Sequence, residues 1–389
     1  MSDSELAKAG RGPVVLVRSP HAGGAGGNDP ARLLADAGVR VGLSLQVSDL
    51  DHNAPRGRAW RAAGFAAAVA AGGDGTLGAV ASQLVGTDLP LGILPLGTSN
   101  DTARSLNVPL DLADAARAIA NGAVVPVDGG QAVPATTEPL ALSPESAAAR
   151  DEAETERIAA RAGQGAIFLH ALTLGLNVEF ARLATDIARR QQWGRLNYAA
   201  SALEAVRQFR PLPLTLRFRE ARELGPAAPG AERPDAQENI TVRLNVVQIA
   251  VVNLPVFGGA MNLRVPGVAP HDRLLDFVVI EAFDPAGIRE IVEGWIGALA
   301  RLAERFGAVH APGEASEAVD RGTAREAQRQ EAENFALPGV RRFQARAALI
   351  ESPHALDVTL DGEIRARTPV EIRVAPEPVR VLLPPGARV

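Results

Sequence analysis

The sequence predicts two domains, an α/β domain with a parallel sheet and a mostly antiparallel β domain that follows it. The chain has 389 residues, and at about 100–200 residues per domain this length corresponds to two compact units. Short apolar runs alternate with helical patterns as far as residue 126, which is typical of an α/β layer. Beyond residue 127, strand-like runs separated by turn residues indicate an antiparallel β domain.

The composition excludes several classes of chemistry. Cysteine is absent, which rules out disulfides, thiolate catalysis and metal centres held by cysteine. Lys8 is the only lysine, so neither a Walker A loop nor a protein-kinase lysine is available. Any phosphate must therefore be held by backbone amides, arginine or a metal. A net charge of −5 with 4% aromatic residues provides no surface for nucleic acid.

The hydropathy pattern contains no membrane span. No apolar run approaches the roughly 18–20 residues that a span requires. Residues 1–8 also lack the layout of a signal peptide. We therefore expect a soluble, cytoplasmic protein.

The predicted first domain contains four strands and a helix. The strands cover residues 13–18, 41–47, 65–71 and 91–94. Apolar and polar residues alternate in the second of these strands, which indicates that it is half-buried. The helix covers residues 112–119, and Asn121-Gly122 ends it.

The predicted second domain contains further strands, two helices and two insertions. The strand-like runs lie at 167–170, 214–218, 241–253, 274–281, 356–360 and 379–383. Helical patterns interrupt them at 180–187 and 288–302, and the second of these has a wide apolar stripe. Residues 135–165 and 307–334 lack a sustained apolar face, which indicates exposed insertions.

A glycine-rich loop directly after the third strand is the strongest local feature. It reads Gly72-Gly73-Asp74-Gly75-Thr76-Leu77-Gly78 and opens a helical run. Glycines let backbone N–H groups approach an anion and a helix N-terminus favours negative charge, so the loop is a candidate phosphate site. The Gly73-x-Gly75-x-x-Gly78 spacing also fits a dinucleotide-binding turn, but the next strand does not end in the acid that would hold the ribose. A tight turn without any ligand is the third interpretation.

A second loop, Gly97-Thr98-Ser99-Asn100-Asp101, follows the fourth strand and precedes a short helix at 102–106. Thr98 and Ser99 offer hydroxyl donors, whereas Asn100 or Asp101 also fits an ordinary helix N-cap. Loops at the carboxyl ends of adjacent parallel strands face one crevice. The pair of loops therefore favours a polyphosphate site.

These loops resemble those of a known family. Residues 72–76, followed by Leu94-Pro95-Leu96 and the second loop, are similar to the catalytic domain of diacylglycerol kinases, sphingosine and ceramide kinases and bacterial YegS-like lipid kinases. Further similarities follow in order along the chain, at Ser19-Pro20-His21-Ala22-Gly23, Val252-Asn253, Phe257-Gly258-Gly259-Ala260-Met261, His271-Asp272-Arg273-Leu274-Leu275-Asp276 and Leu360-Asp361-Gly362-Glu363. The resemblance extends over residues 14–384 apart from the two insertions.

The resemblance implies a two-domain fold like that of NAD kinases and diacylglycerol kinases. An α/β nucleotide-binding domain would cover residues 1–126 together with about 376–389, because in bacterial members the last segment returns to the first domain. A β-sandwich-like acceptor domain would cover residues 127–375 and include the insertions near 135–165 and 307–334. The active site would lie in the cleft between the two domains.

The resemblance also assigns roles to individual residues. Glu363 aligns with the proton acceptor of the family. Asp272 aligns with a magnesium ligand, assisted by the backbone carbonyls of Ala269 and Leu274. Asp74, Asp101 and Asp128 align with acids that link the cleft to that metal through hydrogen bonds or water. The candidate nucleotide contacts are Ser48, Gly72, Gly73, Asp74, Gly75, Thr76, Leu77, Gly78, Thr98 and Asn100.

Four positions depart from the family pattern. Gly78 and Ala79 replace an Asn-Glu pair, Arg273 replaces a glycine in the proposed metal loop, and Ser19 replaces an asparagine. Arg273 places a cation beside the metal loop, where it would contact phosphate or weaken Mg²⁺ binding. These departures affect the expected metal geometry and turnover more than nucleotide binding.

The expected function is that of an ATP- and Mg²⁺-dependent lipid kinase that phosphorylates a diacylglycerol-like hydroxyl. The alternatives are a kinase of the same fold acting on a non-lipid hydroxyl, and a nucleotide-binding regulatory protein that no longer turns over. A lipid acceptor implies contact with the inner membrane face. Arg182, Arg189, Arg190 and Arg195, with Trp193, border an amphipathic stretch suited to such contact, although a solvated helix face explains them as well.

Overall fold

The computed structural model describes residues 12–20, 29–51, 55–135, 165–176, 178, 210–224, 238–257, 263–281 and 339–387. The helices predicted at 180–187 and 288–302 lie outside these residues, as do residues 258–261 and nearly all of both insertions. The arginine-rich stretch proposed for membrane contact also lies outside them.

The described residues form one large sheet in each domain, a two-stranded sheet of Val256–Phe257 and Leu263–Arg264, and five α-helices. The helices are α1 (Pro30–Asp36), α2 (Gly57–Ala62), α3 (Asp74–Leu84), α4 (Asp101–Ser105) and α5 (Leu112–Asn121). The strands are β1 (Val14–Arg18), β2 (Val41–Gln46), β3 (Ala67–Gly72), β4 (Leu91–Pro95), β5 (Ala123–Val127), β6 (Gly130–Pro134), β7 (Ala166–Phe168), β8 (Ala171–Gly175), β9 (Leu212–Leu224), β10 (Glu238–Val252), β11 (Val256–Phe257), β12 (Leu263–Arg264), β13 (Leu275–Glu281), β14 (Val340–Glu351), β15 (Asp357–Leu360), β16 (Glu363–Arg367), β17 (Val370–Val374) and β18 (Val379–Leu383). Within the ranges given above, no helix is long and apolar enough to cross a membrane.

The N-terminal sheet has the strand order β2-β1-β3-β4-β18-β5. β2, β1, β3, β4 and β18 are parallel, and β5 runs antiparallel to β18. β1 and β3 are buried along nearly their whole length, in agreement with their continuous apolar sequences. The chain thus returns to its first sheet after it has formed the second.

The C-terminal domain consists of an antiparallel sheet that closes on itself. Its order is β16-β15-β8-β10-β13-β14-β17-β6-β7, and the long strand β9 pairs with both β10 and β14. In its core, the ring of Phe218 meets that of Phe277 edge-on at 5.1 Å and stacks on that of Phe343 at 4.6 Å. The predicted antiparallel β domain is confirmed, whereas the sequence patterns do not predict β5, β6, β8, β14, β16 or β17.

The chain crosses between its domains at two described places. The first crossover, Asp128-Gly129, connects β5 to β6, and the second, residues 375–378, connects β17 to β18. The Ala375 N–H donates to the Gly129 carbonyl oxygen (2.7 Å), and the Asp128 N–H donates to the Pro270 carbonyl oxygen (2.7 Å). The two crossovers therefore lie side by side, against the loop that precedes β13.

Candidate active site

A cleft of about 380 Å³ lies between the carboxyl ends of β3 and β4 and one side of the C-terminal sheet. It is lined by Gly73, Asp74, Gly75, Thr98, Ser99 and Asp101 of the first domain and by His170, Ala171, Thr173, Thr359, Asp361 and Gly362 of the second. Both predicted loops therefore lie in one crevice, and the turn that precedes Glu363 lies opposite them.

The first loop leads β3 into α3 and leaves backbone donors at the start of that helix. The Leu77 N–H is the first amide of α3 to donate to a carbonyl of this turn, that of Gly73 (3.0 Å). The amides of Asp74, Gly75 and Thr76 precede it and so have no carbonyl partner within the helix. Because Gly75 lines the cleft, this helix N-terminus presents N–H groups and the positive end of its dipole to the crevice.

The two loops touch through their glycines. A Cβ added to Gly97 would lie 2.3 Å from Gly73 Cα, so this approach requires glycine at position 97. The Leu96 N–H donates to the Gly72 carbonyl oxygen (3.0 Å), which continues the pairing of β3 and β4 into the loops. The relative position of the two loops is therefore fixed by main-chain contact.

Asn100 stabilises the second loop from within. Its backbone is left-handed (φ +52°), a conformation that asparagine tolerates better than most residues. Its Oδ1 accepts from the Gly97 N–H (2.9 Å), and its Nδ2 donates to the Gly97 carbonyl oxygen (2.8 Å). The side chain predicted to contact nucleotide is thus engaged in holding the loop.

Asp74 likewise connects the loops. Its carboxylate accepts from the N–H groups of Thr102 (2.8 Å) and Asp101 (3.2 Å) and so caps α4, although Asn100 occupies the N-cap position. The sequence predicts Asn100 or Asp101 as the residue that caps this helix. In the structure Asp74 of the other loop accepts the capping hydrogen bonds.

Glu363 follows a tight hairpin turn. Leu360 pairs with Glu363, and the two residues between them, Asp361 and Gly362, have φ values of +48° and +89°, as a two-residue primed turn requires. Glu363 is exposed, and its Oε1 would lie 3.1 Å from a Cβ added to Gly75. The carboxylate thus stands directly beside the first turn of α3.

Asp361 is buried and anchors this hairpin. Its carboxylate accepts from the backbone N–H groups of Leu169 (2.9 Å), His170 (2.9 Å) and Ala171 (3.0 Å). Burial raises its pKa above the usual range, and the hydrogen bond from Leu169 opposes that shift. A Cβ added to Gly78 would lie only 2.2 Å from Asp361 Oδ2, so α3 and the hairpin are in direct contact at a glycine.

The loop assigned to a metal lies beside the first crossover. Asp272 is half-buried, and its Oδ1 accepts from the Leu274 N–H (3.0 Å). Burial raises the pKa of Asp272, the Leu274 hydrogen bond lowers it, and the neighbouring Asp128 raises it. Asp128 accepts from Arg273 at both carboxylate oxygens, from the backbone N–H at 2.8 Å and from the guanidinium at 3.1 Å.

The residues of this loop do not fit a bound Mg²⁺ ion. Each oxygen of Asp128 accepts a hydrogen bond from Arg273, and the guanidinium of Arg273 already supplies a cation next to it. Among the residues that the structure describes, no group of three or more histidine, aspartate or glutamate side chains is placed to hold a metal. The assignment of Ala269, Asp272 and Leu274 to a metal is therefore not supported by their surroundings.

Three further predicted nucleotide contacts, Ser48, Leu77 and Thr76, are not among the residues that line the cleft. Ser48 is exposed in a short 3₁₀ turn after β2, and β1 separates that strand from β3. Leu77 is buried in the core of the first domain, and its amide is paired within the helix. Thr76 is also buried, with its hydroxyl against Gly72, so only its main chain is suited to a ligand.

Three polar cleft residues, His170, Thr173 and Thr359, have no counterpart among the sequence predictions. His170 Nε2 lies 2.5 Å from the Val256 carbonyl oxygen, and the hydroxyls of Thr173 and Thr359 lie 2.6 Å apart. All three belong to strand regions where β8 and β15 meet the cleft. Their placement depends on pairing between residues more than 180 positions apart, which no local pattern reveals.

Comparison with known proteins identifies both domains. Residues 13–132 match the family of the diacylglycerol kinase catalytic domain. Residues 171–293 match that of the YegS C-terminal NAD kinase beta sandwich-like domain. The two-domain fold and the resemblance inferred from the sequence are therefore confirmed.

Individual relatives are similar over parts of the chain. A probable lipid kinase YegS-like protein of Klebsiella pneumoniae (strain 342) is 52% identical over 62 residues, which are 15% of this chain and 21% of that protein. A diacylglycerol kinase of Mycobacterium tuberculosis (strain ATCC 25618 / H37Rv) is 29% identical over 223 residues, 57% of each chain. The chain thus matches between about a fifth and somewhat more than half of the length of these relatives.

A solved structure shares the fold over almost the whole length. It is a crystal structure of a diacylglycerol kinase from Bacillus anthracis str. Sterne, with a TM-score of 0.52 and 17% sequence identity. The similarity covers 97% of this chain and 98% of that one. At 17% identity this similarity shows a shared fold.

Proposed function

We propose that this chain, built from the diacylglycerol kinase catalytic domain and the YegS C-terminal domain, transfers the γ-phosphoryl group of ATP to the hydroxyl of a lipid. The observation that carries the proposal is the position of Glu363 beside Gly75, at the amide-bearing start of α3. A base thereby stands beside a phosphate site, which is the minimum arrangement for transfer to a hydroxyl.

The donor side relies on main-chain groups. The amides of Asp74, Gly75 and Thr76 are directed along the axis of α3 and would hold phosphate oxygens without a lysine. Thr98 and Ser99 line the same crevice and can add hydroxyl donors. The contact between Gly73 and Gly97 keeps the two sets of donors at a fixed separation.

The acceptor side relies on Glu363. Its carboxylate would take the proton of the acceptor hydroxyl while that oxygen forms a bond to the γ-phosphorus. The bond between the γ-phosphorus and the β,γ-bridging oxygen breaks, and ADP leaves with the electron pair. General-base assistance of this kind typically contributes about 10²–10⁴-fold to the rate.

We propose that ATP enters as its Mg²⁺ complex. Asp74, Asp101 and Asp361 line the cleft, whereas none of the described residues that line it is an arginine or lysine. A triphosphate therefore requires a cation that it brings with it, and Mg²⁺ on phosphate oxygens supplies this neutralisation. Loop 269–274 takes no part in this proposal.

The test is phosphorylation of lipid vesicles with labelled ATP. Glu363→Gln is expected to lower kcat by about 10²-fold or more and to leave the Kd for ATP unchanged, because the amide keeps the shape of the side chain. Glu220→Gln serves as the matched control, since Glu220 is an exposed acid of the second domain, outside the cleft lining. A Glu363→Gln variant as active as the control would refute the assignment.

The alternatives give distinct products. A labelled soluble product without labelled lipid identifies a same-fold kinase for a non-lipid hydroxyl. ATP binding without any labelled product identifies a regulatory protein, which Gly78, Ala79 and Arg273 favour because they depart from the family pattern. A lipid product would support a cytoplasmic enzyme that works at the inner membrane face, and sedimentation with anionic vesicles measures that association.

A further inference from the structure

One arginine side chain contacts both crossovers between the domains. Arg273 precedes β13 in the second domain, and its NH1 lies 3.1 Å from Asp128 Oδ1 in the first crossover. Its NH2 donates to the Pro376 carbonyl oxygen in the second crossover (3.1 Å). Its backbone N–H also donates to Asp128 Oδ2 (2.8 Å).

The backbone of Arg273 favours a different residue. It is left-handed, with φ +60°, where a residue with a Cβ is less stable than glycine. The backbone conformation favours glycine at this position, so the presence of arginine is explained by its side-chain contacts.

The buried charge of Asp128 explains what the arginine side chain contributes at position 273. The Asp128 side chain is only 4% exposed, whereas that of Arg273 is 37% exposed. A carboxylate so buried needs a cation or several hydrogen bonds, and Arg273 supplies both. A guanidinium presents donors in a planar fork and so can serve two acceptors on different segments at once, which an ammonium group does less well.

We propose that Arg273 is a guanidinium clamp that fixes the two inter-domain crossovers and takes the place of a metal ion in loop 269–274. A dication beside the paired guanidinium would be repelled, and each Asp128 oxygen that it could bind already accepts a hydrogen bond from Arg273. The relative position of the two crossovers is then independent of metal concentration. This inference stands whether or not the chain phosphorylates a lipid.

Three amides report on the clamp by hydrogen exchange. They are those of Asp128, Arg273 and Ala375, which donate across the crossovers and the loop. Full-length protein without nucleotide would be measured in magnesium chloride and in EDTA at equal ionic strength, as wild type and as Arg273→Gln. The matched control is Arg380→Gln, which breaks an ion pair with Asp88 (2.8 Å) within the first domain.

In the wild type, exchange in these three segments and the Tm are expected to be the same in magnesium and in EDTA. Arg273→Gln is expected to exchange about tenfold faster or more in all three segments, since hydrogen bonds to a charged group are lost, whereas Arg380→Gln is not. Slower exchange or a higher Tm of the wild type in magnesium would overturn the proposal, as would wild-type protection in Arg273→Gln. If Arg273→Gln fails to fold, Arg273→Lys replaces it and is expected to lose protection at Ala375, and the wild-type comparison stands on its own.

Discussion

Replacing Gly78 by alanine is the sharpest perturbation of the contact between α3 and the catalytic hairpin. In an ordinary helix this change stabilises by about 1 kcal/mol, because glycine is the poorer helix former. Here the new Cβ would lie 2.2 Å from Asp361 Oδ2 and 3.0 Å from its Cγ. The carboxylate must therefore move by about 1 Å to reach ordinary contact distance.

That movement affects three hydrogen bonds at once. Asp361 accepts from Leu169, His170 and Ala171 at 2.9, 2.9 and 3.0 Å, so a shift of this size breaks at least one of them. A hydrogen bond to a charged group contributes about 1.5–3 kcal/mol. After the gain in helix propensity, Gly78→Ala is expected to lower the free energy of unfolding by about 0.5–2 kcal/mol.

The assay is urea unfolding of a double-mutant cycle. Asp361→Gly removes the carboxylate and suits the positive φ of that position, so in this background Gly78→Ala is expected to be neutral or stabilising. In the wild-type background the same change is also expected to lower kcat, because Glu363 follows the displaced residue. A higher urea midpoint for Gly78→Ala in the wild type, or equal destabilisation in both backgrounds, would refute the reasoning.

Two further changes test the loops and the buried acids. Gly97→Ala is expected to weaken ATP binding by about tenfold or more, because its Cβ would force Gly73 away; calorimetry measures the Kd, and Gly129→Ala, whose Cβ would meet only ordinary contacts, should match the wild type. Asp276 has a pKa raised to about 7 by burial, against the opposing effects of Gln344 and Arg342, so between about pH 4 and 7 the folded state binds more protons than the unfolded state. Its contribution to the free energy of unfolding therefore falls as pH rises, and Asp276→Asn should remove up to about 1.4 kcal/mol per pH unit of that slope in urea titrations. An unchanged slope in the variant would contradict this pKa.

The loops and the hairpin were predictable because their signals are local. Consecutive glycines after an apolar run indicate a tight turn into a helix, and Asp361-Gly362 is a strong turn signal. β1, β3 and β4 are likewise continuous apolar segments, and β2 shows a local alternation of apolar and polar residues. Each of these features depends on residues that are adjacent in the sequence.

The missed strand β14 illustrates what local patterns omit. It contains Arg342 and Gln344, which suggest exposure, yet both are buried because they donate to Asp276 on the neighbouring strand β13 (3.3 and 3.1 Å). The partner lies more than 60 residues away, so the periodicity of β14 alone does not reveal a core strand.

Large separation in sequence also explains why the sequence does not predict the roles of Gly78 and Arg273. In sequence, Gly78 is a lost polar side chain, whereas in the structure it makes room for the carboxylate of Asp361. Arg273 is an unexpected cation in sequence and the partner of Asp128 in the fold. Neither pairing could be inferred without the relative position of the two domains.

The place of β18 in the first sheet has a consequence for biosynthesis. Because this strand is inserted between β4 and β5, residues 1–127 leave the ribosome long before the neighbour that β4 requires has been translated. The nascent polypeptide thus carries an open sheet edge, which favours chaperone capture or aggregation, until residues 379–383 emerge. Proteolysis of ribosome-bound chains arrested before residue 379, compared with full-length chains followed by a linker long enough to expose residues 379–383, measures this delay, and equal resistance of the N-terminal segment in both would exclude it.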